Sequence, residues 1–417
     1  MTAATVIRPL APSEQIFAFS EVFVGYCARM SGKLDLSALA AAFEALVTAH
    51  PILGAQLAPT EPVGHTLVTS GPPEVVLTVA DGDPELLLTG AEPDQRRALG
   101  TLHVVRSGDT SSVTLLVHHS IADATHALNL LERLWHCYVA AAAGRMPALP
   151  ADGQPMPVED LLAARGIVRR PVPGSAAPPR ITPPLPPADA LNANENEYPP
   201  LLTTRCRLSR DQTAALVSYG RRAGVTVHSL VAAALLLTES EARQLPVDEL
   251  LCSYSVDLRR RVRPRIGPTE GTNVLGFAGY RPGPGTAGTL TALAHGVFHA
   301  LRAGLASGHI QQTPLQLPDT LAAPPANPFD TVMTTNWGRL PRLSVPTLLI
   351  HDFRTTMIAK PDPTGRRPPQ AGGGTSIIST YDDRLSVEIH HPPEFTPVQT
   401  PRIEQLENLL TRLRPPQ

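Results

Sequence analysis

The distribution of proline constrains this chain more than any other feature. Of its 417 residues 45 are proline, and they crowd between Pro147 and Pro200, with tandem pairs at Pro178-Pro179, Pro183-Pro184, Pro186-Pro187 and Pro199-Pro200. Proline lacks a backbone N–H and has a fixed φ, so such a stretch makes neither a central strand nor a long helix. Only the run from Val158 to Gly166 has a helical pattern there. Residues 147–200 are therefore expected to be an extended crossover between two domains, residues 1–146 and 201–417. The length agrees, being too great for one core and suited to two of about 200 residues each. Hydrophobic residues make up 42% of the chain but aromatics only 4%, so those cores are built from Ala, Leu and Val.

Hydrophobic periodicity fills in the elements. Leu39, Phe43, Leu46 and Val47 recur at helical spacing after Ser37, the expected cap, and His50-Pro51 ends that helix. A second amphipathic helix is expected from Leu128 to Val139. In the second half Ser209 caps a helix from Arg210 to Ala223, and Val227 to Ala242 is apolar nearly all round, hence buried. The last helix begins at Thr396 or Pro397 and ends at Leu413. Strands are expected at 76–79, 112–118, 203–208, 251–256, 329–336, 347–353, 375–380 and 385–390. Strands and helices mix in both halves, which predicts an α/β or α+β fold.

The formal net charge is −2, which provides no global positive field to hold nucleic acid or an anionic membrane. Cys27, Cys137, Cys206 and Cys252 are scattered, with no close pair for a zinc site or disulfide framework. No signal peptide is visible between Met1 and Ser13, and the longest apolar stretch, Leu230 to Leu237, is far too short for a bilayer. A cytoplasmic protein without a membrane span, and a monomer, is the expectation.

One segment carries chemistry. Ser112-Val113-Thr114-Leu115-Leu116-Val117-His118-His119 has the β-branched content of a strand. Successive strand side chains point to opposite faces, so His118 and His119 cannot both enter one cavity. One is a working residue and the other is packed or hydrogen-bonded. Ser120 to Ala122 then turns, and Asp123 stands where a helix begins.

His118-His119-Ser120-Ile121-Ala122-Asp123-Ala124 resembles the HHxxxDG motif of the condensation-domain superfamily, which includes chloramphenicol acetyltransferases and plant BAHD acyltransferases. The nearest likeness is to its polyketide-associated acyltransferases of the phthiocerol dimycocerosyl transferase type, and it runs nearly end to end. It is carried by Val6-Ile7-Arg8-Pro9-Leu10 with Ser13-Glu14, by the run from Pro157 to Gly166, by Tyr254-Ser255-Val256-Asp257-Leu258-Arg259, and by Pro268-Thr269-Glu270-Gly271-Thr272-Asn273-Val274-Leu275-Gly276.

This resemblance implies two chloramphenicol-acetyltransferase-like domains with a channel between them. Acyl thioester enters from one face and acceptor alcohol from the other. The second motif histidine, His119, is then the general base, for which neutral imidazole is suited at neutral pH. His118 packs. Asp123 matches the motif aspartate, which in relatives forms a structural ion pair with an arginine; Arg259 is the match here. Asn336 or the indole N–H of Trp337, in Thr334-Thr335-Asn336-Trp337-Gly338, is the expected oxyanion donor or channel residue. The motif's final glycine is Ala124 in this chain. Either Ala124 has ordinary backbone angles, or the loop is strained by about 1 kcal/mol; its methyl also bears on channel width.

Plainer readings stand beside these. His119 alone could be a core histidine at a strand end, and Asp123 an N-cap. A metal site would need a third ligand beyond His119 and Asp123, and none is apparent, so no metal is expected. Arg259, Arg260, Arg261, Arg263 and Arg265 are a solvated loop, or contact the phosphates of coenzyme A or an acidic carrier protein. The run from Ala371 to Thr375 lacks the lysine of a phosphate-binding loop and is taken as a turn. His390-His391 lacks a following aspartate and is taken as structural.

The expected activity is acyl transfer from a coenzyme A or acyl-carrier-protein thioester to a hydroxyl of a lipid or polyketide-type acceptor. The thioester is a co-substrate, no cofactor is permanently bound, and a carrier protein or polyketide synthase is the expected partner. The alternatives are cyclisation or amide formation with the same histidine, or a non-catalytic module that binds a carrier protein.

Overall fold

The computed structural model describes residues 4–60, 64–170, 201–286, 288–318, 331–360 and 374–413, and the structural statements that follow concern these. The tandem-proline stretch 171–200 and residues 371–373 of the glycine run lie outside them. The first part of the chain runs β1 (Thr5–Pro9), α1 (Pro12–Ala18), β2 (Phe23–Ser31), α2 (Leu36–Ala49), β3 (Gln56–Thr60), β4 (Gly64–Thr69), β5 (Val76–Asp81), β6 (Gly100–Ser107), β7 (Thr110–His118), α3 (Ala124–Ala142) and α4 (Val158–Ala163). The second runs β8 (Leu202–Arg207), α5 (Arg210–Arg222), α6 (Val227–Arg243), β9 (Leu251–Asp257), β10 (Leu275–Tyr280), α7 (Leu290–Ala306), α8 (His309–Gln312), β11 (Thr331–Arg339), β12 (Leu349–Ile358), β13 (Thr375–Tyr381), β14 (Arg384–His391) and α9 (Thr396–Thr411).

These elements form two units. One comprises Met1–Arg165, Val262–Val274 and Pro341–Thr364, the other Gly166–Arg261, Leu275–Leu340 and Gly365–Gln417. Two segments from the second half of the sequence therefore pack with the first, which the local pattern of residues did not reveal.

In the first unit a five-stranded sheet has the order β12-β2-β7-β6-β5. Its pairs are antiparallel except the parallel β5–β6. β7 is central, and Ser111 to His118 is buried throughout, so its sequence reads as a continuous run rather than an alternation. β2 is buried on both faces in the same way. Helix α2 packs on α3. Leu39, Phe43 and Leu46 on one, and Leu130, Leu131 and Leu134 on the other, are all buried, each contributing about 1.5–3 kcal/mol. The cap of α2 is Asp35 rather than Ser37: the Asp35 carboxylate accepts the N–H groups of Ser37 and Ala38 at 2.9 and 3.0 Å. A carboxylate at this end also meets the positive end of the helix dipole. Strands β1, β4 and β3 form a separate small sheet.

In the second unit a six-stranded sheet has the order β10-β9-β11-β13-β14-β8. It is parallel along β9, β11 and β13 and antiparallel elsewhere. α6 supplies the core: Leu230 to Leu236 are fully buried among Cys252, Tyr254, Leu293, Val387 and Leu406. Ser209 and Gln212 cap α5 reciprocally. Among the described residues no single helix is long and apolar enough to cross a membrane.

Candidate active site

β7 ends at His118, His119 opens the turn that follows, and the two rings have different surroundings. His118 is fully buried, edge-on to Phe23 across the strand pair, with centroids 4.8 Å apart and planes at 85°. Its Nδ1 accepts the Ser120 N–H at 3.3 Å, which leaves the ring proton on Nε2. Burial, with smaller contributions from His119 and His65, holds its pKa down at about 3. His118 is neutral and unavailable to solvent.

His119 is partly exposed. Its ring lies face to face with Phe17 of α1, and its Nδ1 is buried with no hydrogen-bond partner among the described residues. Burial lowers its pKa from the ordinary value; the backbone at His119 and Ala122, the Asp123 carboxylate and the Asn273 side chain act the other way. The ring is therefore neutral at neutral pH.

The loop carrying His119 is fastened on several sides. The His119 N–H donates to the Val22 carbonyl at 2.7 Å, and the Ile121 N–H to the His118 carbonyl at 3.1 Å. Asn273 Nδ2 donates to the carbonyls of His119 and Ser120 at 2.6 and 3.3 Å. Ser120 Oγ donates to the Glu14 carbonyl at 2.8 Å. Glu14 is itself completely buried. Its carboxylate accepts both Arg8 Nη atoms at 2.6 and 2.7 Å, the Ala11 N–H at 2.9 Å and Thr272 Oγ1 at 2.8 Å. One buried charge, matched by Arg8, thus links the start of the chain to the strap Gly271–Val274 and the histidine loop.

Asp123 is buried and is the N-cap of α3, accepting the His126 N–H at 3.1 Å; its other oxygen accepts the Val274 N–H at 2.9 Å. Its own N–H donates to the Thr272 carbonyl at 2.8 Å. Burial, with Asp123 nearby, pushes the Tyr26 hydroxyl well above its ordinary range. Ala124 is the first residue of α3 and is not among the positive-φ residues, so the alanine is unstrained there. Gly271 allows the strap to approach α4 closely: a Cβ there would lie 2.4 Å from Val274 Cγ2 and 2.5 Å from Leu161 Cδ1.

The first unit thus brings together His118, His119, Asp123 and Ala124, and adds Phe17, Glu14, Thr272 and Asn273. The resemblance had picked out the runs containing Glu14, Thr272 and Asn273 without giving those side chains a role; Phe17 had no signal. The second unit holds Arg259, Arg260, Arg261, Asn336 and Trp337, whereas Arg263 and Arg265 belong to the first. Arg259 is buried, with Nη1 3.4 Å from Asp257 Oδ1, which also accepts the Arg259 N–H at 2.9 Å. Asn336 is exposed on β11, where its Oδ1 accepts the Gly338 N–H at 2.8 Å and Gly338 takes φ +72°. Trp337 lies between them at a strand irregularity. Arg260, Arg261, Arg263 and Arg265 are exposed. His390 pairs with Thr203 Oγ1 at 2.9 Å, and His391 Nδ1 donates to the Pro392 carbonyl at 2.8 Å.

The fold defines the class. The chain is similar to the first condensation domain of the CDA synthetase, with TM-score 0.67 and 15% identity over 97% of both chains, a likeness of fold. It is similar to polyketide synthase associated protein 5 from Mycobacterium tuberculosis, with TM-score 0.78 and 28% identity over 99% of this chain and 98% of that one. The protein is an acyltransferase with the condensation-domain, chloramphenicol-acetyltransferase-like fold.

Sequence comparison carries this further. The family model for the phthiocerol/phthiodiolone dimycocerosyl transferase C-terminus matches residues 198–390. The phthiocerol/phthiodiolone dimycocerosyl transferase of Mycobacterium ulcerans (strain Agy99) is 33% identical over 395 residues, 94% of this chain and 93% of that one. The chain belongs to the phthiocerol/phthiodiolone dimycocerosyl transferase family.

Proposed function

We propose that this acyltransferase moves an acyl group from a thioester of coenzyme A or of a carrier protein's phosphopantetheine to a hydroxyl of a lipid or polyketide-type acceptor, forming an ester with His119 as general base. One observation carries this reading: of the motif histidines, His119 is the one with a partly exposed, neutral ring, and its buried Nδ1 leaves Nε2 for the substrate.

In the reaction the acceptor hydroxyl gives its proton to His119 Nε2 as its oxygen bonds to the thioester carbonyl carbon. The tetrahedral oxyanion then collapses, the C–S bond breaks, and the leaving thiolate takes the proton back from His119. No covalent acyl-enzyme forms. General-base catalysis of this kind supplies roughly 10²–10⁴-fold. The family resemblance gives the role of oxyanion donor to Asn336 or the Trp337 indole N–H. Asp123 supports the site through the cap of α3 and the strap, and Arg259 has the structural role that the family resemblance gives it. His118 packs.

The exposed arginines 260, 261, 263 and 265 suit an acidic carrier protein, with which a polyketide synthase context agrees. Four free, buried cysteines fit a reducing cytoplasm. The test is a mass-spectrometric screen of acyl thioesters, free and carrier-bound, against alcohols and amines, with His119→Ala as control. Ester products that vanish with the variant are expected. Undiminished ester formation by His119→Ala overturns the mechanism, and acylation of amines alone overturns the ester assignment.

A further inference from the structure

Two aromatic contacts flank the histidine pair, and they differ in kind. His118 meets Phe23 edge-on, whereas the rings of Phe17 and His119 are nearly parallel, with centroids 4.0 Å apart and planes inclined by 12°. The face of a phenyl ring is the negative part of its quadrupole. A neutral imidazole gains little from that face, but an imidazolium is attracted to it. A general base becomes an imidazolium once it has taken its proton.

The stack is also built into the fold. Phe17 lies on the short helix α1, three residues after Glu14. The Glu14 carbonyl accepts Ser120 Oγ, next to His119, and the Glu14 carboxylate holds Arg8 and Thr272. The helix bearing Phe17 and the loop bearing His119 are therefore bonded at neighbouring residues, which sets the two rings in register.

We propose that Phe17 is a positioning residue, which holds the His119 ring by stacking and stabilises the imidazolium present between removal of the proton from the acceptor hydroxyl and its return to the thiolate. This rests on His119 being the base. The other groups facing His119 are the Asp123 carboxylate from the turn, the backbone at His119 and Ala122, and the Asn273 side chain from the strap, all favouring the charged ring. His118, the last residue of β7, is neutral, and Glu14, on α1, is taken up by Arg8 and Thr272. Phe17 is not ionisable, so its removal leaves the count of charges unchanged.

The experiment is an NMR titration of ring-labelled histidine in wild type, Phe17→Leu and Phe17→Trp, with the His119 signal assigned by its loss in His119→Gln. Phe17→Leu keeps the bulk and removes the aromatic face. It is expected to weaken protonation of His119 about three- to tenfold. It is also expected to lower kcat by a similar factor with little change in KM, while Phe17→Trp holds the titration within about twofold of wild type. A merely structural Phe17 would alter thermal stability without moving the titration. If Phe17→Leu leaves both titration and kcat unmoved while His119→Ala is inactive, the stacking role is overturned and the base stands. An active His119→Ala overturns the base itself, whatever Phe17→Leu does.

Discussion

One oxygen of the Asp123 carboxylate accepts the backbone N–H of Val274 at 2.9 Å, while the other caps α3 through the His126 N–H. A single buried side chain therefore closes the helix that follows the histidine loop and secures the strap beside it. Asp123→Ala removes the cap and leaves the Val274 N–H buried without this partner. The expected loss is about 2–4 kcal/mol, read as a shift in urea midpoint. Asn caps nearly as well as Asp, so Asp123→Asn should lose less. Equal losses for the two variants would argue against the capping account. Inactivity of Asp123→Ala is thus expected on structural grounds and assigns Asp123 no proton-transfer role.

Asn273 bridges two successive carbonyls of the histidine loop, His119 and Ser120. Asn273→Ala leaves both without that donor, at a cost of about 1–3 kcal/mol if water does not replace it. We expect faster hydrogen exchange at Ile121 and Asp123, and kcat lowered on the order of tenfold, since a slight misplacement of the proposed base is costly. Unchanged kcat in a correctly folded Asn273→Ala would remove Asn273 from the positioning of His119.

Glu14 is a fully buried carboxylate paired with Arg8, whose side chain is 24% exposed. Taking away the buried partner while the arginine can reach water is still expensive, because Ala11 and Thr272 also lose their acceptor. Glu14→Ala is expected to destabilise by about 3–5 kcal/mol. Arg8→Ala leaves an uncompensated charge inside and should be similarly severe. Thermal denaturation at neutral pH distinguishes this from the loss below about 1 kcal/mol expected of an exposed pair.

The pH dependence has two parts. His119 titrates below the ordinary histidine value of 6.5, and the proposed mechanism uses it as the neutral base, so kcat/KM should hold through pH 6.5 and fall on an acid limb below it. A limb centred above 6.5 would contradict this. Stability behaves separately. His118 protonates at about 3 when folded against 6.5 for the ordinary group, and His50 and His228 at about 4. Between these values the unfolded chain binds protons that the folded chain refuses, so stability is greatest above pH 6.5 and falls as pH drops toward 4. His118→Gln should flatten that dependence in urea midpoints taken at pH 7 and 4.5.

Much of this was legible in the residues themselves. Helices α2, α3, α5 and α6 have a 3.6-residue apolar period, and the expected spans overlap the observed ones closely. The strands β7, β9, β13 and β14 also fall where β-branched runs placed them. By contrast β2 escaped, because its sequence shows no alternation and, unlike β7, it holds a single β-branched residue, Val24. α7 escaped despite a buried Leu293, Ala294 and Val297, with exposed small residues diluting the pattern. The cap of α2 was misplaced by two residues, since Asp35 and Ser37 are both good caps and only geometry chooses between them. In the site, the histidine pair and Asp123 are local, so a motif exposes them. The contacts of Asn273 and Thr272 join residues far apart in the chain, and spacing alone cannot express them.

Strand β12 is made of residues Leu349–Ile358, yet it lies at the edge of the first unit's sheet, paired with β2 along its length. During synthesis, therefore, the sheet that carries His119 waits for most of the chain to leave the ribosome before its last strand exists. Until then β2 presents an open, largely apolar edge, which is a template for pairing with other chains. The histidine-bearing unit is thereby a fold of high contact order, slow to complete. A gene fragment ending at the crossover would yield an incomplete sheet, and production of the histidine-bearing unit alone requires residues from both ends of the chain.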